Sequence, residues 1–224
     1  MRKIFIVLGL ALLTSGVFAQ DFTTKAGNKI DFGFDLFYDI WGNKPEGMQI
    51  HGLSFGNSIY AMYEKEIWTK DGRFRLGMGV GVTTHKLSTN TTIKDPYETP
   101  ITFVPIHEDI EFDKSKFVVN YLDFPIEIRY KTPSKFRLAI GAKLGFRLNN
   151  HTTYKGEELT NSGIYQVVKY KKIKDIEGIR FGTSLKFGYK WLNFNVFYSL
   201  TKLFSGDKGP ELYPISIGIT FNPF

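Results

Sequence analysis

Apolar and polar residues alternate with a period of two along most of this chain, and that period limits the folds open to it. From Lys29 to Ile40 the even-numbered residues are apolar or aromatic, whereas the odd-numbered ones include three aspartates. A period of two is typical of a β-strand with one apolar face, because successive side chains of a strand point to opposite sides. The same alternation predicts seven further strands, over about residues 52–68, 74–82, 118–130, 136–148, 179–189, 192–200 and 213–221. The strand over 52–68 is less regular because Asn57 interrupts it, which is compatible with a bulge or register shift.

Short and long connections alternate between these strands. The short ones are Asp71–Gly72, Lys131–Lys135 and Trp191–Leu192, and the long ones cover about residues 41–50, 88–116, 149–178 and 202–211. If Lys70 pairs with Arg73, the turns predict Tyr63 opposite Val80, Tyr130 opposite Phe136 and Tyr189 opposite Phe194. An even number of strands of about ten residues, joined in this way, is typical of a transmembrane β-barrel with both termini in the periplasm. We therefore predict an all-β fold, an eight-stranded antiparallel up-and-down transmembrane β-barrel over residues 29–224.

The period alone does not say which face of the barrel is outside. The polar face is rich in glycine, which suits the crowded interior of a narrow barrel. Trp68, Tyr130, Tyr189 and Trp191 flank the short turns, as an interfacial aromatic girdle would. The regular strands carry no charged residue on the apolar face, where a charge would cost about 2–4 kcal/mol at mid-membrane. These features favour an apolar face towards lipid, with a soluble exported lipocalin-like barrel that binds a ligand in an apolar interior as the alternative.

The N-terminus has the features of an export signal. Arg2 and Lys3 precede an apolar stretch, and Gly16–Ala19 form a small-residue cleavage site. The stretch is shorter than the roughly 20 residues that span a bilayer. We predict a cleaved signal peptide over residues 1–19, a short periplasmic segment over 20–28 and an outer-membrane location without a transmembrane helix. The chain contains no cysteine, which excludes disulfides, thiolate metal sites and an N-terminal lipid-modified cysteine.

A narrow eight-stranded barrel has an interior filled by side chains, so we expect a lumen plugged by its charged residues. Lone charges in a confined interior are unfavourable, and they should therefore form ion pairs. The predicted turn register places Asp123 opposite Lys143 and Glu127 diagonal to Arg137. These two contacts are the predicted structural pairs of the lumen.

One strand carries a more specific motif. Residues 120–130, NYLDFPIEIRY, resemble the tyrosine, leucine, acidic, proline, aliphatic motif of PorT-like outer-membrane β-barrel proteins. FRLGMGVGV and FRLAIGAKLGFRLN look like the glycine-punctuated strands of that family. The resemblance implies an outer-membrane barrel and, for some relatives, a part in protein secretion, and it implies no catalytic residue.

Candidate chemistry is sparse. The four histidines, His51, His85, His107 and His151, lie at or beyond the predicted outer ends of strands. A histidine beside an acid, such as His107 near Glu108 and Asp109, could act in a small outer-membrane hydrolase at the extracellular rim, or bind a metal. No HExxH, HxH or GxSxG motif accompanies them. We expect no enzyme activity and no cofactor, and we assign no catalytic, cofactor-binding or metal-binding residue.

The outer loops are the regions in which a partner could bind. Loop 88–116 contains the apolar run ITFVPIHEDIEF, residues 101–112, which could bind a partner protein or cap the barrel mouth. Loop 149–178 contains a lysine-rich stretch that could contact the anionic head groups of outer-leaflet lipid or form a solvated face. A net charge of +7 without a compact basic cluster does not point to nucleic acid. The sequence thus predicts a structural, binding or secretion-accessory barrel.

Overall fold

The computed structural model describes residues 23–24, 28–68, 71–160 and 163–222, and every regular element in those ranges is a β-strand. Within them no helix is long and apolar enough to cross a membrane. The predicted signal peptide over residues 1–19, most of the predicted periplasmic segment over 20–28 and Lys70 in the first short turn lie outside the described residues.

The described residues contain the following strands. They are β1 (Thr23–Thr24), β2 (Asn28–Gly42), β3 (Phe55–Glu66), β4 (Phe74–Ser88), β5 (Thr91–Ile93), β6 (Phe103–Pro105), β7 (Phe112–Lys131), β8 (Phe136–Glu157), β9 (Tyr165–Lys171), β10 (Ile179–Tyr189), β11 (Leu192–Ser199) and β12 (Tyr213–Phe221).

Eight of these strands form one closed antiparallel barrel. They are β2, β3, β4, β7, β8, β10, β11 and β12, each paired with the next, and β2 closes the ring by pairing with both β3 and β12. Closure gives the backbone groups of every barrel strand a partner on both sides, as a strand in lipid requires. β1 pairs antiparallel with the first residues of β2, and β9 pairs with β8. β5 and β6 form a separate small hairpin. The predicted fold class is confirmed.

The two ends of the barrel differ. One end carries the connections 67–73, 132–135 and 190–191, and we call it the short-turn end. The opposite end, which we call the long-loop end, carries the connections 43–54, 89–111, 158–178 and 200–212. Two of the long connections are shorter than predicted, because β7 begins at Phe112 and β8 continues to Glu157.

The apolar face lies outside and the polar face inside. In β2, Phe34, Leu36 and Ile40 are exposed, whereas Asp31 and Asp35 are buried. The other barrel strands repeat this arrangement and together form an outward apolar belt. The alternative of a soluble lipocalin-like barrel is not supported, because its ligand cavity requires apolar side chains in the interior.

The predicted registers of the three short turns were wrong by two residues. Tyr63 lies opposite Met78, Tyr130 opposite Leu138 and Tyr189 opposite Leu192. An offset of two leaves each side chain on its own face, so alternation alone does not detect it. The difference arises in the turns themselves. Lys190 adopts a left-handed backbone (φ 52°) in a two-residue turn, and the Ile67 N–H donates to the Phe74 carbonyl at 3.0 Å across a longer loop.

Strand β3 contains no register shift along either neighbour, so the irregularity suggested by Asn57 is absent there. A shift occurs instead between β7 and β8 at Asn120 and Tyr121. Pro125 causes no shift towards β4, but the ladder pairs are interrupted next to it, opposite Gly79. Proline has no N–H to donate to the ladder, which accounts for this gap.

The interior glycines make room for large side chains. At Gly33 an added Cβ would lie 2.1 Å from Cζ of Tyr60, whose ring occupies that space. At Gly145 it would lie 2.4 Å from Oδ1 of Asp123. Glycine on the polar face therefore allows the lumen of a narrow barrel to hold aromatic and charged groups.

Two features mark the ends of the belt. Trp68, Tyr189 and Trp191 are exposed at the short-turn end, as predicted for the girdle, whereas Tyr130 is partly buried against Phe74. At the long-loop end β7, β8 and β9 continue as a three-stranded sheet beyond the barrel wall, and we call it the outer sheet.

Candidate functional site

The lumen brings together the charged side chains of the inward face. Its acids are Asp31, Asp35, Asp39, Glu64, Asp123 and Glu127, and its bases are Arg75, Arg129, Arg137, Lys143, Arg180 and Lys186. Alternation along eight strands places these groups inside, since each lies on the face opposite the belt. They form three clusters along the barrel axis.

Arg180 is the centre of the cluster nearest the long-loop end. Its guanidinium donates to both carboxylate oxygens of Asp123, at 2.7 and 2.8 Å. It also contacts Nε2 of His85, and Nδ1 of the same ring lies 2.8 Å from Oδ1 of Asp39. Asp39 further accepts hydrogen bonds from Ser216 at 2.7 Å and from the backbone of Lys86 at 2.8 Å. This chain of contacts links β2, β4, β7, β10 and β12 across the lumen.

Aromatic rings fix the position of the same guanidinium. Its central carbon lies 4.1 Å from the ring centroid of Tyr121 and 4.8 Å from that of Phe197. Arginine stacks favourably on aromatic faces, and the interaction strengthens when both groups are desolvated. Arg180 is 2% exposed, so its charge is matched almost entirely within the protein.

The middle cluster surrounds Lys186. Its ammonium lies 2.8 Å from Glu127, donates to the Tyr60 hydroxyl at 2.9 Å and sits 4.3 Å from the centroid of that ring. Lys143 on β8 faces Asp35 on β2 at 3.7 Å. Both lysines are buried, and both face a carboxylate.

Arg129 organises the cluster nearest the short-turn end. It contacts Glu127 at 2.8 Å, Asp31 at 2.5 Å and Glu64. Glu64 also lies 3.1 Å from Arg75. A cavity of about 80 Å³ remains beside these groups. That is room for several waters and far below the roughly 300 Å³ of a small-molecule site.

The predicted lumen pairs have different partners in the structure. Asp123 lies opposite Gly145 and binds Arg180, whereas Lys143 lies opposite Pro125 and faces Asp35. The two-residue offset in the β7–β8 register causes this exchange.

Glu127 and Arg137 are likewise not brought together as predicted. Glu127 lies opposite Gly141 and pairs with Lys186 and Arg129. Arg137 donates to Asn222 at 3.4 Å. Glu64 was missed because the irregular pattern of β3 hid its face, although it has the same parity as Tyr60 and Met62.

A hydrophobic cluster covers the lumen at the long-loop end, and we call it the cap. Its buried members are Trp41, Met48, Leu87, Ile93, Ile101, Phe117, Val119, Tyr121, Ile173, Ile176, Leu203, Phe204 and Leu212. All four long connections contribute to it. Backbone hydrogen bonds join the connections, for example from Ile101 to Lys208 at 2.8 Å and from Glu177 to Leu203 at 2.8 Å.

The apolar residues of the 101–112 run are mostly buried in this end of the molecule. Ile101 belongs to the cap, and Phe103 packs against it. Ile106 and Ile110 pack with Tyr154 in a second small cluster, beside Phe112. These side chains thus stabilise the loop and are not presented as an exposed apolar patch.

The four histidines occupy separate environments. His85 lies inside the lumen, and His51 packs against Phe112 with ring centroids 4.7 Å apart. His107 is exposed, with Nδ1 3.1 Å from Asp109, and His151 pairs with Lys171 on the outer sheet. The described residues contain no group of three or more histidine or acidic side chains able to hold a metal ion. The structure therefore places the four candidate histidines apart from one another.

A family model described as an outer membrane protein beta-barrel domain matches residues 18–205. None of the curated proteins matches this chain in sequence. Among solved structures, Ail, the attachment invasion locus protein of Yersinia pestis, in complex with the heparin analogue sucrose octasulfate, is 12% identical, with a TM-score of 0.39 over 88% of this chain and 98% of that one. A mutant porin of Rhodopseudomonas blastica is 7% identical, with a TM-score of 0.23 over 87% and 99%. Scores this low carry no argument, and the assignment rests on the strand pairing and the family match.

Proposed function

The chain belongs to the outer membrane protein beta-barrel domain family, and from that premise we propose that it is a closed barrel with a structural or binding role and not a diffusion channel. The long-loop end faces the outside of the cell and the short-turn end faces the periplasm, as in other outer-membrane barrels. On this proposal the membrane-spanning part is an anchor that holds the cap and the outer sheet at the cell surface.

The ion-pair network of the lumen is the observation that carries the proposal. Asp123 and Arg180 are both buried, and their ion pair joins β7 to β10 over the intervening β8. Lys186 and Glu127 join the same two strands nearer the middle of the lumen, and Lys186 also reaches the Tyr60 hydroxyl on β3. Eight strands leave an interior that side chains can fill, in contrast to the water-filled lumen of a 16-stranded porin. The cap above the network adds a second, apolar barrier.

Conductance across a planar lipid bilayer tests the closed lumen. We expect the purified protein to insert without unitary current steps at neutral pH, while a porin in the same bilayers serves as the positive control. Reproducible steps that scale with the amount of inserted protein would contradict the proposal.

Labelling of intact cells tests the orientation. The chain has no cysteine, so a single Lys44→Cys variant in the first long connection can be probed with a membrane-impermeant maleimide. Lys44 is exposed. Labelling should occur without disruption of the outer membrane, whereas Lys135→Cys at the short-turn end should require it. The reverse pattern would contradict the proposed orientation.

The PorT-like motif has a structural explanation within the lumen. Tyr121 stacks on Arg180, Asp123 binds it, and Pro125 adjoins the ladder gap opposite Gly79. The motif therefore supports a barrel with this interior more directly than it supports a part in protein secretion. A secretion-accessory role predicts that deletion of the gene changes the set of exported proteins. An unchanged set would contradict that role and favour a structural one.

A rim hydrolase is less well supported. Its best candidate, His107, has Asp109 as an acidic neighbour, and both side chains are about three-quarters exposed. General acid–base catalysis depends on a held geometry and a tuned pKa, and neither is favoured in open solvent. A lipid or peptide hydrolase activity abolished by His107→Ala would reverse this preference.

A further inference from the structure

The outward face of the outer sheet and of the adjoining end of β4 is rich in lysine. Its basic residues are Lys86, Lys114, Lys116, His151, Lys169 and Lys171, and we call this set the lysine face. Strand pairing puts Lys116 and Lys169 on either side of Thr153, and His151 beside Lys171. Directly paired residues lie on one face of a sheet with neighbouring Cβ atoms about 5 Å apart. Positions distant in sequence thus form one positively charged surface across β4, β7, β8 and β9.

The charge of the lysine face is not neutralised locally. None of its five lysines forms an ion pair with a residue in the described ranges. The nearby carboxylate of Asp113 is engaged by Lys155 at 2.6 Å and by the Tyr165 hydroxyl. Burial and the neighbouring lysines of the face lower the pKa of His151 and of Lys116 below their ordinary values. The folded protein therefore holds like charges together, an arrangement that a bound anion would relieve.

The lysine face adjoins the part of the barrel that contacts lipid. On β4, Val82 belongs to the exposed apolar belt, and Lys86 follows four residues later on the same face. At about 3.4 Å per residue and a tilt of about 40°, Lys86 lies roughly 10 Å further along the barrel axis. The head-group region extends about 5–8 Å beyond the hydrocarbon core, and a lysine side chain can span the remaining distance. Lys86 therefore lies just above the hydrocarbon boundary, and Lys116, which pairs with Ser88, lies about two residues further along the sheet.

We propose that the lysine face binds the phosphate groups of anionic lipid in the outer leaflet. The proposal rests on the orientation given under Proposed function and does not depend on the closed lumen. Lysine binds phosphate as a point charge, and several lysines on one surface add their attraction. Lipid is favoured over a soluble acidic peptide because the apolar belt and the lysine face are adjacent on the outward side of the same strands. A lipid can therefore place its chains against the belt and its phosphate against the lysines.

Removal of three charges from the face tests the proposal. The variant is Lys116→Gln, Lys169→Gln and Lys171→Gln combined. A matched control, Lys44→Gln, Lys135→Gln and Lys190→Gln combined, changes the net charge equally but lies off the face. Each purified protein is folded in neutral detergent, and its thermal unfolding midpoint is measured with added phosphatidic acid, phosphatidylcholine, inorganic phosphate or polyglutamate, at low and high salt. A ligand that binds only the folded state raises the midpoint.

We expect phosphatidic acid to raise the midpoint of the wild type and of the control variant by several degrees at low salt. The face variant should lose more than half of that shift, and high salt should reduce the shift in every protein. Equal shifts in the face and control variants would overturn the proposal. Inorganic phosphate or polyglutamate that reproduced the full shift would also overturn it, by assigning the face to a free anion or an acidic peptide.

The labelling experiment tests the orientation and the lipid experiment tests the phosphate site, so one can fail while the other succeeds. If Lys44→Cys were labelled only from the periplasmic side, the proposed orientation would fall, and with it the assignment to the outer leaflet. Loss of the phosphatidic acid shift in the face variant would still establish a lipid phosphate site on the sheet.

Discussion

Replacement of Arg180 by methionine removes the centre of the outermost lumen cluster. Methionine is unbranched and apolar and ends near the position of Nε, so the change deletes the charge, keeps the apolar stem and leaves part of the space between Tyr121 and Phe197 unfilled. The carboxylate of Asp123, which is 2% exposed, loses its bidentate partner. A buried ion left without its partner costs about 3–5 kcal/mol, and we expect a loss of that size in the free energy of unfolding.

A double-mutant cycle separates the ion pair from general damage. Asp123→Asn removes the other charge. The free energy of unfolding of the double variant should therefore fall by about 1–3 kcal/mol less than the sum of the two single-variant losses. The equivalent cycle between Asp123 and Lys143 should give a smaller coupling, because Lys143 faces Asp35 at 3.7 Å. Lys44→Met, in an exposed loop, is the control and should change the free energy of unfolding by less than about 0.5 kcal/mol.

Urea unfolding in phospholipid vesicles measures these energies. The folded and unfolded fractions can be read from gel mobility without boiling, and independently from tryptophan fluorescence. A loss below about 1 kcal/mol for Arg180→Met, or losses that simply add in the Asp123 and Arg180 cycle, would refute the reasoning. A larger coupling of Asp123 to Lys143 than to Arg180 would favour the register expected from the turns over the one in the structure.

Two further predictions follow from local geometry. Gly33→Ala should lower the thermal unfolding midpoint strongly, because its Cβ would lie 2.1 Å from the Tyr60 ring, whereas Gly178→Ala, with no atom within 4 Å, should leave it nearly unchanged; equal midpoints would contradict the packing. Hydrogen bonds from Lys155 and Tyr165 lower the pKa of Asp113, so this contact is present above the ordinary carboxyl pKa of about 3.9 and is lost as pH falls through the lower folded value. Carboxyl NMR should show that lower pKa, with a return towards 3.9 in Lys155→Met, and a wild-type value at or above 3.9 would contradict it.

The alternation in the sequence determines most of the fold, because a period of two specifies both the strands and their faces. It placed Asp31 inside and Phe34 outside, and the strict sequence of short and long connections indicated the closed barrel. The ends of the strands were harder to predict. The alternation in β8 stops at about residue 148, although the strand continues to Glu157, because a register shift at Asn120 and Tyr121 changes which residues face outward.

The lumen contacts depend on the register between strands, which a period of two does not determine. A register offset of two preserves the faces but exchanges partners, so Asp123 meets Arg180 and not Lys143. His85 illustrates the same limit, since its position near a strand end resembles that of the loop histidines while its side chain is 1% exposed. Only the pairing of all eight strands brings His85 next to Asp39 and Arg180.

The central claim is that this chain forms a closed barrel whose apolar face contacts the membrane. Fractionation of cells, followed by gel electrophoresis of the extracted protein with and without boiling, tests it most directly. We expect the protein in the outer-membrane fraction and a band whose mobility changes on heating, because a closed hydrogen-bonded barrel resists detergent until it is heated. Recovery in the soluble periplasmic fraction, with one mobility before and after boiling, would contradict the assignment of the apolar face to lipid.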